Sequence, residues 1–380
     1  MTSNGAPTLY MISSEPALVT LESPFTALWV EIPVTGVVTE TFVNNASCSE
    51  SDVILYKGIS VTSDIPIMLF AASVKSGSTD GTFVIPSPGL GTEYITIAHD
   101  STLAGVEAYL IVSTQDNNTV NITTPAGVIE SHTLGRLETF YREGAGNSGT
   151  LIDSSAPIYV VSGHKCANIP DSSKLYCDYI DEVMPPVRTH GKVFIVGYMY
   201  PRTDFTIGIA SSKTLTMVNI YDHLGDLTDT QYMERGDVVY LSFYSTYVMS
   251  IISNEPILVT QYGHGSKLVS GDPSMMLVPS ITGYSDGSYQ FNALSGFISH
   301  LGVVVPVGQI SGLQLDETSL VPALSNNVTV PGIGAFTFVY VGVNAGFHNL
   351  SHVSTEVKYS AWAYGRTTNQ EYATTLGMMT

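Results

Sequence analysis

A short motif recurs along this chain of 380 residues, and its spacing constrains the fold more than any other feature. In each copy a Pro-Ile dipeptide follows a Ser-containing turn and opens an apolar run. The copies lie at Pro66, Pro157 and Pro256, which are 91 and 99 residues apart (157 − 66 and 256 − 157). A second proline follows an apolar pair at Pro86, Pro185 and Pro279, with spacings of 99 and 94 (185 − 86 and 279 − 185). Two independent features with one period predict an internal duplication.

The segments between these prolines indicate an all-β chain. Tyr94–Ala98, Phe205–Ile209 and Phe336–Val341 alternate apolar and polar residues, which is typical of half-buried strands. Turn-forming residues separate such segments, and sustained helical periodicity is absent. A period of about 95 residues has room for one β-sandwich. We therefore predict tandem repeated β-sandwich-like units, about four in number. A β-propeller, in which each period supplies two blades, is the alternative.

The period also predicts the boundaries of the units. A degraded fourth copy lies at Thr355–Gly365, where Lys358 replaces the proline. The predicted units are 8–92, 93–190, 191–288 and 289–370, followed by a C-terminal tail at 371–380.

Composition excludes several classes of function. There are 33 acidic residues against 14 basic ones, a net charge of −19, so no basic surface exists to bind nucleic acid. Charged residues make up 12% of the chain, a low fraction that is common in extracellular β proteins. No apolar run reaches the roughly 18 residues that a membrane-spanning helix needs. The first residues lack the basic and apolar regions of a signal peptide.

Motifs for catalysis are absent as well. The chain contains no nucleophile elbow, P-loop, dinucleotide fingerprint or His-Glu-x-x-His sequence. Acidic residues near Asp178 could act as an acid–base pair, but they lie on a loop with no evident pocket. Those near Asp222 could bind calcium, but they lack the spacing of a known calcium loop. We predict no enzymatic activity, no cofactor and no metal site.

The three cysteines raise the question of redox state. Cys166 and Cys177 are 11 apart (177 − 166) across a polar loop, which suits a local disulfide. A reduced pair or a pair of metal ligands remains possible from spacing alone. Cys48 has no obvious partner.

Polar residues near the ends of the repeated strands are candidates for binding. Glycine is followed by a basic or imidazole side chain in several copies, which could form cationic tips, although a solvated turn residue is the simpler interpretation. The candidate binding residues are His164, Lys165, Asn168, Asp178, Glu182, His264, Lys267 and Arg366. Candidate N-glycosylation sequons lie at Asn45, Asn117, Asn121, Asn327 and Asn349.

Two segments resemble a known family. Ser162–Pro170 and Tyr176–Val187, which surround the two cysteines, are similar to the signature of the IgGFc-binding protein N-terminal domain family. Weaker similarity continues through Leu90–Tyr94, Asp272–Pro279 and Ser311–Leu313, so the resemblance covers most of the chain. It implies an extracellular, non-enzymatic module of larger secreted or cell-surface proteins, often of the mucus type. It also implies a disulfide between Cys166 and Cys177.

These observations lead to one expectation and two alternatives. We expect an extracellular adhesion or matrix module that binds a protein or glycan partner through β-sheet loops. A structural spacer in a larger protein is the first alternative. The second is a glycan-processing enzyme, which would need a pocket with two carboxylates about 5–10 Å apart.

Overall fold

The computed structural model describes residues 6–42, 48, 50–75, 78–100, 106–171, 177–244, 246–265 and 271–376. These residues form β-strands and short 3-10 turns, so the predicted all-β class is confirmed. They divide into two compact units, which meet in the sequence between Arg188 and Thr189. The finer division into four units stays a prediction.

The N-terminal unit contains two sheets. Its strands are β1 (Ala6–Ser23), β2 (Leu28–Thr41), β3 (Val53–Leu55), β4 (Ser60–Ser63), β5 (Met68–Lys75), β6 (Ser78–Phe83), β7 (Gly91–Ile95), β8 (Glu107–Ser113), β9 (Asn118–Thr123), β10 (Ile129–Leu134), β11 (Thr139–Glu143), β12 (Leu151–Ala167) and β13 (Asp178–Val183). The first sheet has the order β2-β1-β5-β6, with β4 also paired to β1. The second has the order β10-β9-β12-β8-β11-β3, with β7 and β13 also paired to β12.

The C-terminal unit contains three sheets. Its strands are β14 (Gly191–Val196), β15 (Asp204–Ser211), β16 (Thr216–Tyr221), β17 (Leu227–Met233), β18 (Val238–Tyr244), β19 (Met249–Gly263), β20 (Ser274–Leu277), β21 (Tyr289–Ala293), β22 (Ile298–Pro306), β23 (Leu313–Leu315), β24 (Thr318–Ser319), β25 (Leu324–Val330), β26 (Gly334–Val343), β27 (Gly346–His352), β28 (Ser360–Arg366) and β29 (Glu371–Thr375). The orders are β17-β16-β19-β15-β18, β21-β27-β23-β24 and β25-β26-β22-β28-β29.

The predicted repeat is visible in the strand pairing. In the first sheet of the C-terminal unit, β14 and β20 also pair with β19, as β7 and β13 pair with β12. The topology of β7–β13 is therefore reproduced strand for strand by β14–β20. This identity confirms tandem repeated units of sandwich type.

The Ser-x-x-Pro motif is the point at which the long strand of each repeat changes partners. Residues 151–154 of β12 pair with β9, whereas residues 158–164 pair with β8. Residues 250–253 of β19 likewise pair with β16, and residues 257–263 pair with β15. Between the two halves, Ser154 Oγ donates to the carbonyl of Ala156 (2.8 Å), and Ser253 Oγ donates to that of Glu255 (2.6 Å). Such a bulge turns a strand from one layer into another, and proline suits the position because it has no N–H to leave unpaired.

The degraded fourth copy occupies the corresponding place in its unit. Tyr94 Oη donates to the carbonyl of Ile158 (2.7 Å), the residue after the motif proline. Tyr289 Oη donates to the carbonyl of Tyr359 (2.9 Å), the residue after Lys358. The same tyrosine contact thus persists where the proline has been lost.

Two features of the fold differ from the sequence analysis. A further copy of the motif lies at Pro16, where Ser13 Oγ donates to the carbonyl of Glu15 (2.7 Å) and the register of β1 shifts. It precedes Pro66 by 50 residues (66 − 16), and Ala17 follows the proline in place of isoleucine, so neither the period nor the Pro-Ile dipeptide predicts it. Glu371–Thr375, which the sequence analysis assigned to a C-terminal tail, form β29 and bury Tyr372.

Candidate functional site

The disulfide closes the hairpin between β12 and β13. Cys166 and Cys177 are bonded, with Cα atoms 4.9 Å apart, within the usual range for disulfides. The N–H of Cys166 donates to His164 Nδ1 (3.0 Å), so the imidazole supports the backbone beside the bridge. Cys48 is a buried free thiol whose Sγ lies 3.6 Å from Thr139 Oγ1.

The two candidate histidines lie inside the protein. His164 is 1% exposed and His264 is 0% exposed. Each follows a glycine on the half of the long strand that has neighbours on both sides. A Cβ at Gly163 would meet the backbone of β13, and a Cβ at Gly263 would meet the side chains of Arg202 and Ser274. His264 Nε2 lies 2.9 Å from Thr206 Oγ1, and its Nδ1 lies 3.3 Å from Asp204. Neither imidazole is an exposed cationic tip.

Of the remaining cationic candidates, one forms an ion pair, one is partly buried, and one lies outside the described residues. Lys165 Nζ forms an ion pair with Glu143 and lies 5.8 Å from the centroid of the Tyr141 ring. Arg366 is partly buried, which lowers the pKa of its guanidinium. Lys267 lies outside the described residues.

The acidic candidates form a buried group between β6 and β13. Tyr179 Oη donates to Asp181 Oδ2 (2.6 Å), the N–H of Asp181 donates to Asp80 Oδ2 (3.2 Å), and Thr82 Oγ1 donates to Glu182. Burial, together with the neighbouring carboxylates, raises the pKa of Asp80 well above its usual range. Asp178 and Asn168 are buried as well. These contacts join two strands, and the described residues include no group of side chains arranged to hold a metal ion.

A buried ion pair anchors the equivalent hairpin of the C-terminal unit. Arg202 pairs with Glu371, and both side chains are 2% exposed. Ser274 Oγ donates to Glu371 Oε1 (2.9 Å), while Arg202 also donates to the carbonyl of His264 at the end of β19. Sequence reasoning missed this pair because its members lie 169 residues apart (371 − 202). The pair joins the end of β19 to the start of β20, as the disulfide joins the end of β12 to the start of β13.

The N-terminal unit exposes a group of aromatic residues that the sequence analysis did not identify. Trp29 is 61% exposed, Tyr56 is 50% exposed and Phe25 is 40% exposed. Lys57 Nζ lies 4.9 Å from the centroid of the Phe25 ring. Together with Arg136, these residues form what we call the aromatic loop cluster. Its aromatic residues lie in apolar segments that resemble core strands, so the sequence alone gave no signal of their exposure.

Three chain segments fix the geometry of the aromatic loop cluster. Both Nη atoms of Arg136 donate to the carboxylate of Glu22, at 3.0 and 2.7 Å, and Glu22 is the register partner of Trp29. The N–H of Arg136 donates to Asp116 Oδ1 (2.8 Å). The N–H of Gly58 donates to the carbonyl of Leu137 (3.0 Å), which ties the segment carrying Tyr56 and Lys57 to the segment carrying Arg136. Trp, Tyr and Arg are the residues that contribute most binding energy at protein interfaces.

The sequons differ in accessibility. Asn117, Asn121 and Asn327 are exposed, as a glycan acceptor must be. Asn349 is half-buried, and Asn45 lies outside the described residues. Glycosylation at these positions stays a prediction.

Among the described residues, no helix is long and apolar enough to cross a membrane.

Comparison with solved structures gives distant matches. Two solved structures, a mutant of the major pilin of Streptococcus pyogenes and a bacterial ice-binding adhesin, share 8% and 11% identity with TM-scores of 0.18 and 0.12. The alignments cover 75% and 71% of this chain and 98% and 90% of those chains. Such low scores carry no argument about the fold.

The sequence comparisons are informative. The human IgGFc-binding protein is 24% identical over 316 residues, which cover 79% of this chain and 6% of the length of that relative. The family described as IgGFc binding protein matches residues 80–365, which is well over half of the chain. The chain belongs to the IgGFc binding protein family.

Proposed function

We propose that this chain is an extracellular, non-enzymatic binding module that engages a protein partner through loops of its β units. The aromatic loop cluster carries this proposal. It combines exposed Trp29, Phe25 and Tyr56 with Arg136, whose guanidinium is already oriented by Glu22. Aromatic side chains held on a rigid β scaffold lose little conformational entropy on binding.

The family supports a protein as the partner. The human relative is named for binding the Fc part of immunoglobulin G. Because this chain spans 6% of that relative, the partner itself is not transferred. Fc is therefore one probe among several, and a glycan partner is an outcome of the test.

Several observations support an extracellular location and a place in a larger chain. The Cys166–Cys177 disulfide suits an oxidising compartment. The exposed sequons at Asn117, Asn121 and Asn327 suit passage through the secretory pathway. The chain matches 6% of the length of the human relative, so we propose that the module works beside other domains in a larger adhesive or mucus-type protein.

We propose that the chain is not an enzyme because its candidate carboxylates are buried and hydrogen-bonded within the fold. Asp80, Asp181 and Glu182 are buried between β6 and β13 and accept hydrogen bonds from residues of these two strands. A glycan-processing pair would instead need carboxylates that face a substrate pocket.

The test is binding of the purified chain to an array of extracellular proteins that includes immunoglobulin Fc, with a glycan array in parallel. We expect saturable binding to a protein that Trp29→Ala weakens by about tenfold or more. Tyr232→Ala is the matched control, because Tyr232 is 79% exposed but lies on β17, outside the aromatic loop cluster. Binding to glycans alone, or equal binding by both variants, would contradict the proposal.

A further inference from the structure

The repeated sheets of the two compact units differ at one edge. In the N-terminal unit, β11 pairs with β8 on one side and with β3 on the other. In the C-terminal unit, β15 is the strand that pairs with β18, and no other strand among the described residues does so. One repeat thus has an extra strand where the other ends at β18.

Matching hydrogen bonds establish which residues of β11 and β18 correspond. Before β11, the N–H of Leu137 donates to the carbonyl of Ser113 (2.9 Å), and the N–H of Ser113 donates to that of Glu138 (3.0 Å). Before β18, Gly236 and Ser211 form the first of these bonds (2.8 Å), and Ser211 and Asp237 form the second (3.0 Å). Thr139–Tyr141 therefore correspond to Val238–Tyr240.

The extra strand changes the exposure of these equivalent residues. Thr139, Phe140 and Tyr141, which β3 covers, are 2%, 1% and 1% exposed. The residues of Val238–Tyr240 are all partly exposed instead. The core at this edge is closed in one repeat and open in the other.

The sequence of β18 lacks the devices that usually protect a sheet edge. Natural edge strands carry charged residues, prolines or bulges that prevent pairing with another chain. Val238–Tyr244 reads Val-Val-Tyr-Leu-Ser-Phe-Tyr, with no charged residue, proline or glycine. Its register with β15 is continuous over all seven residues.

The backbone of β18 presents hydrogen-bonding groups away from β15. The carbonyl of Asp237 bonds to Ser211, so the backbone groups of alternate residues from Asp237 onward face β15. The groups of Val238 and Ser242 consequently face outward. The backbone groups of Val238 and Ser242 occupy the positions that those of Thr139 and Glu143 occupy on β11.

We propose that the outer edge of β18 binds an extended segment of a partner protein as an added antiparallel strand, in the register that β3 takes on β11. This inference rests on the proposed function and gives it a mode of recognition. Main-chain hydrogen bonds would supply affinity, and alternate side chains would supply specificity. The segment would cover Val239 and Leu241 as β3 covers Phe140.

The chemistry of the occupant follows from β3 and from charge. The covering strand Val53–Leu55 is apolar and continues into Lys57. At one end of β18, Glu234 and Asp237 outnumber Arg235, and at the other Asp204 pairs in register with Tyr244. With a net charge of −19, two copies of this chain repel each other. An apolar strand with a basic residue at the end beside Glu234 and Asp237 is therefore the occupant, in preference to a second copy.

The experiment uses a fluorescein-labelled peptide of residues 51–58, Ser-Asp-Val-Ile-Leu-Tyr-Lys-Gly, titrated with the full chain. We expect saturable binding by anisotropy, and slower hydrogen exchange at the amides of Val238 and Ser242. Ser242→Pro removes an outward N–H and should weaken binding by about tenfold. Ser242→Ala is the matched control, because it loses the same contact with Thr206 Oγ1 (2.8 Å) but keeps the N–H.

A second comparison leaves the protein unchanged. Two peptides are N-methylated at alternate residues in opposite phases, and only the phase that blocks the inward-facing amides should lose binding. Equal binding by both phases, or equal binding by the two Ser242 variants, would overturn the proposal. So would protection at β11 in place of β18, or a dimer of the chain that forms without peptide.

This outcome is separable from that of the proposed function. If the chain binds an arrayed protein through Trp29 but no peptide occupies β18, the strand-addition inference fails and the proposed function stands. If the peptide binds β18 but no protein on the array is bound, β18 accepts an added strand and the proposed function fails.

Discussion

At the scale of single residues, polar side chains in this protein mostly hold strands together. His164 supports the backbone beside the disulfide, and Arg202 holds the end of β19 to Glu371. A buried ion pair of this kind contributes little net stability, but removing one partner is costly because the other charge stays buried. Candidate residues of both units are thus explained by the fold before any ligand is invoked.

Asp272 gives this interpretation a pH dependence. Burial raises the pKa of its carboxyl to about 6, against the opposing charge of Arg202. Because the folded state holds the proton more tightly than the unfolded state, the stabilising contribution is complete below the usual pKa of about 4. It is lost as the pH rises through about 6. We predict that Asp272→Asn removes most of the pH dependence of the melting temperature between about pH 4 and pH 6. The substitution Asp286→Asn, at an exposed residue, should leave that pH dependence unchanged. A wild-type melting temperature that rises over this window would contradict the assignment.

At the scale of elements, the Ser-x-x-Pro bulge allows one long strand to pair with different strands along its two halves. The serine hydroxyl satisfies a carbonyl that the interrupted ladder leaves free, in β1, β12 and β19 alike. The motif therefore recurs because the long strand changes its partner strands at the same point in each repeat.

Ser253→Ala should test that role. Loss of the hydrogen bond to the carbonyl of Glu255 is expected to lower the free energy of unfolding by about 1 kcal/mol. Ser288→Ala, at an exposed serine outside the strands, should have no effect. Urea denaturation measures both variants. Equal stability of the two would mean that the bulge does not depend on its serine.

The sequence predicted the parts of the fold that depend on local pattern. Period-two alternation predicted strands, and the spacing of Pro157 and Pro256 predicted a repeat that the topology reproduces. The positions of side chains could not be predicted in this way. His264 became buried because β15, which carries Thr206, lies beside it, and Trp29 became exposed because β2 is an edge strand of its sheet. Local alternation does not say which strand lies at an edge or which strand covers a given residue.

At the scale of the whole molecule, the division into two compact units has a consequence for stability. The disulfide lies entirely in the N-terminal unit, and Asp272 lies in the C-terminal unit. Units with separate cores can unfold separately, and a change confined to one then leaves the other unaffected.

We predict two calorimetric transitions in the full chain. The double variant Cys166→Ala/Cys177→Ala should lower only one of them, with a loss of about 2–3 kcal/mol, because the bridge restricts a loop of roughly a dozen residues in the unfolded chain. Asp272→Asn should shift only the other transition, in the pH window given above. Mass spectrometry of the unreduced protein provides the control, and two free thiols at these positions would remove the premise. A single transition shifted by both variants would mean that the two units unfold as one.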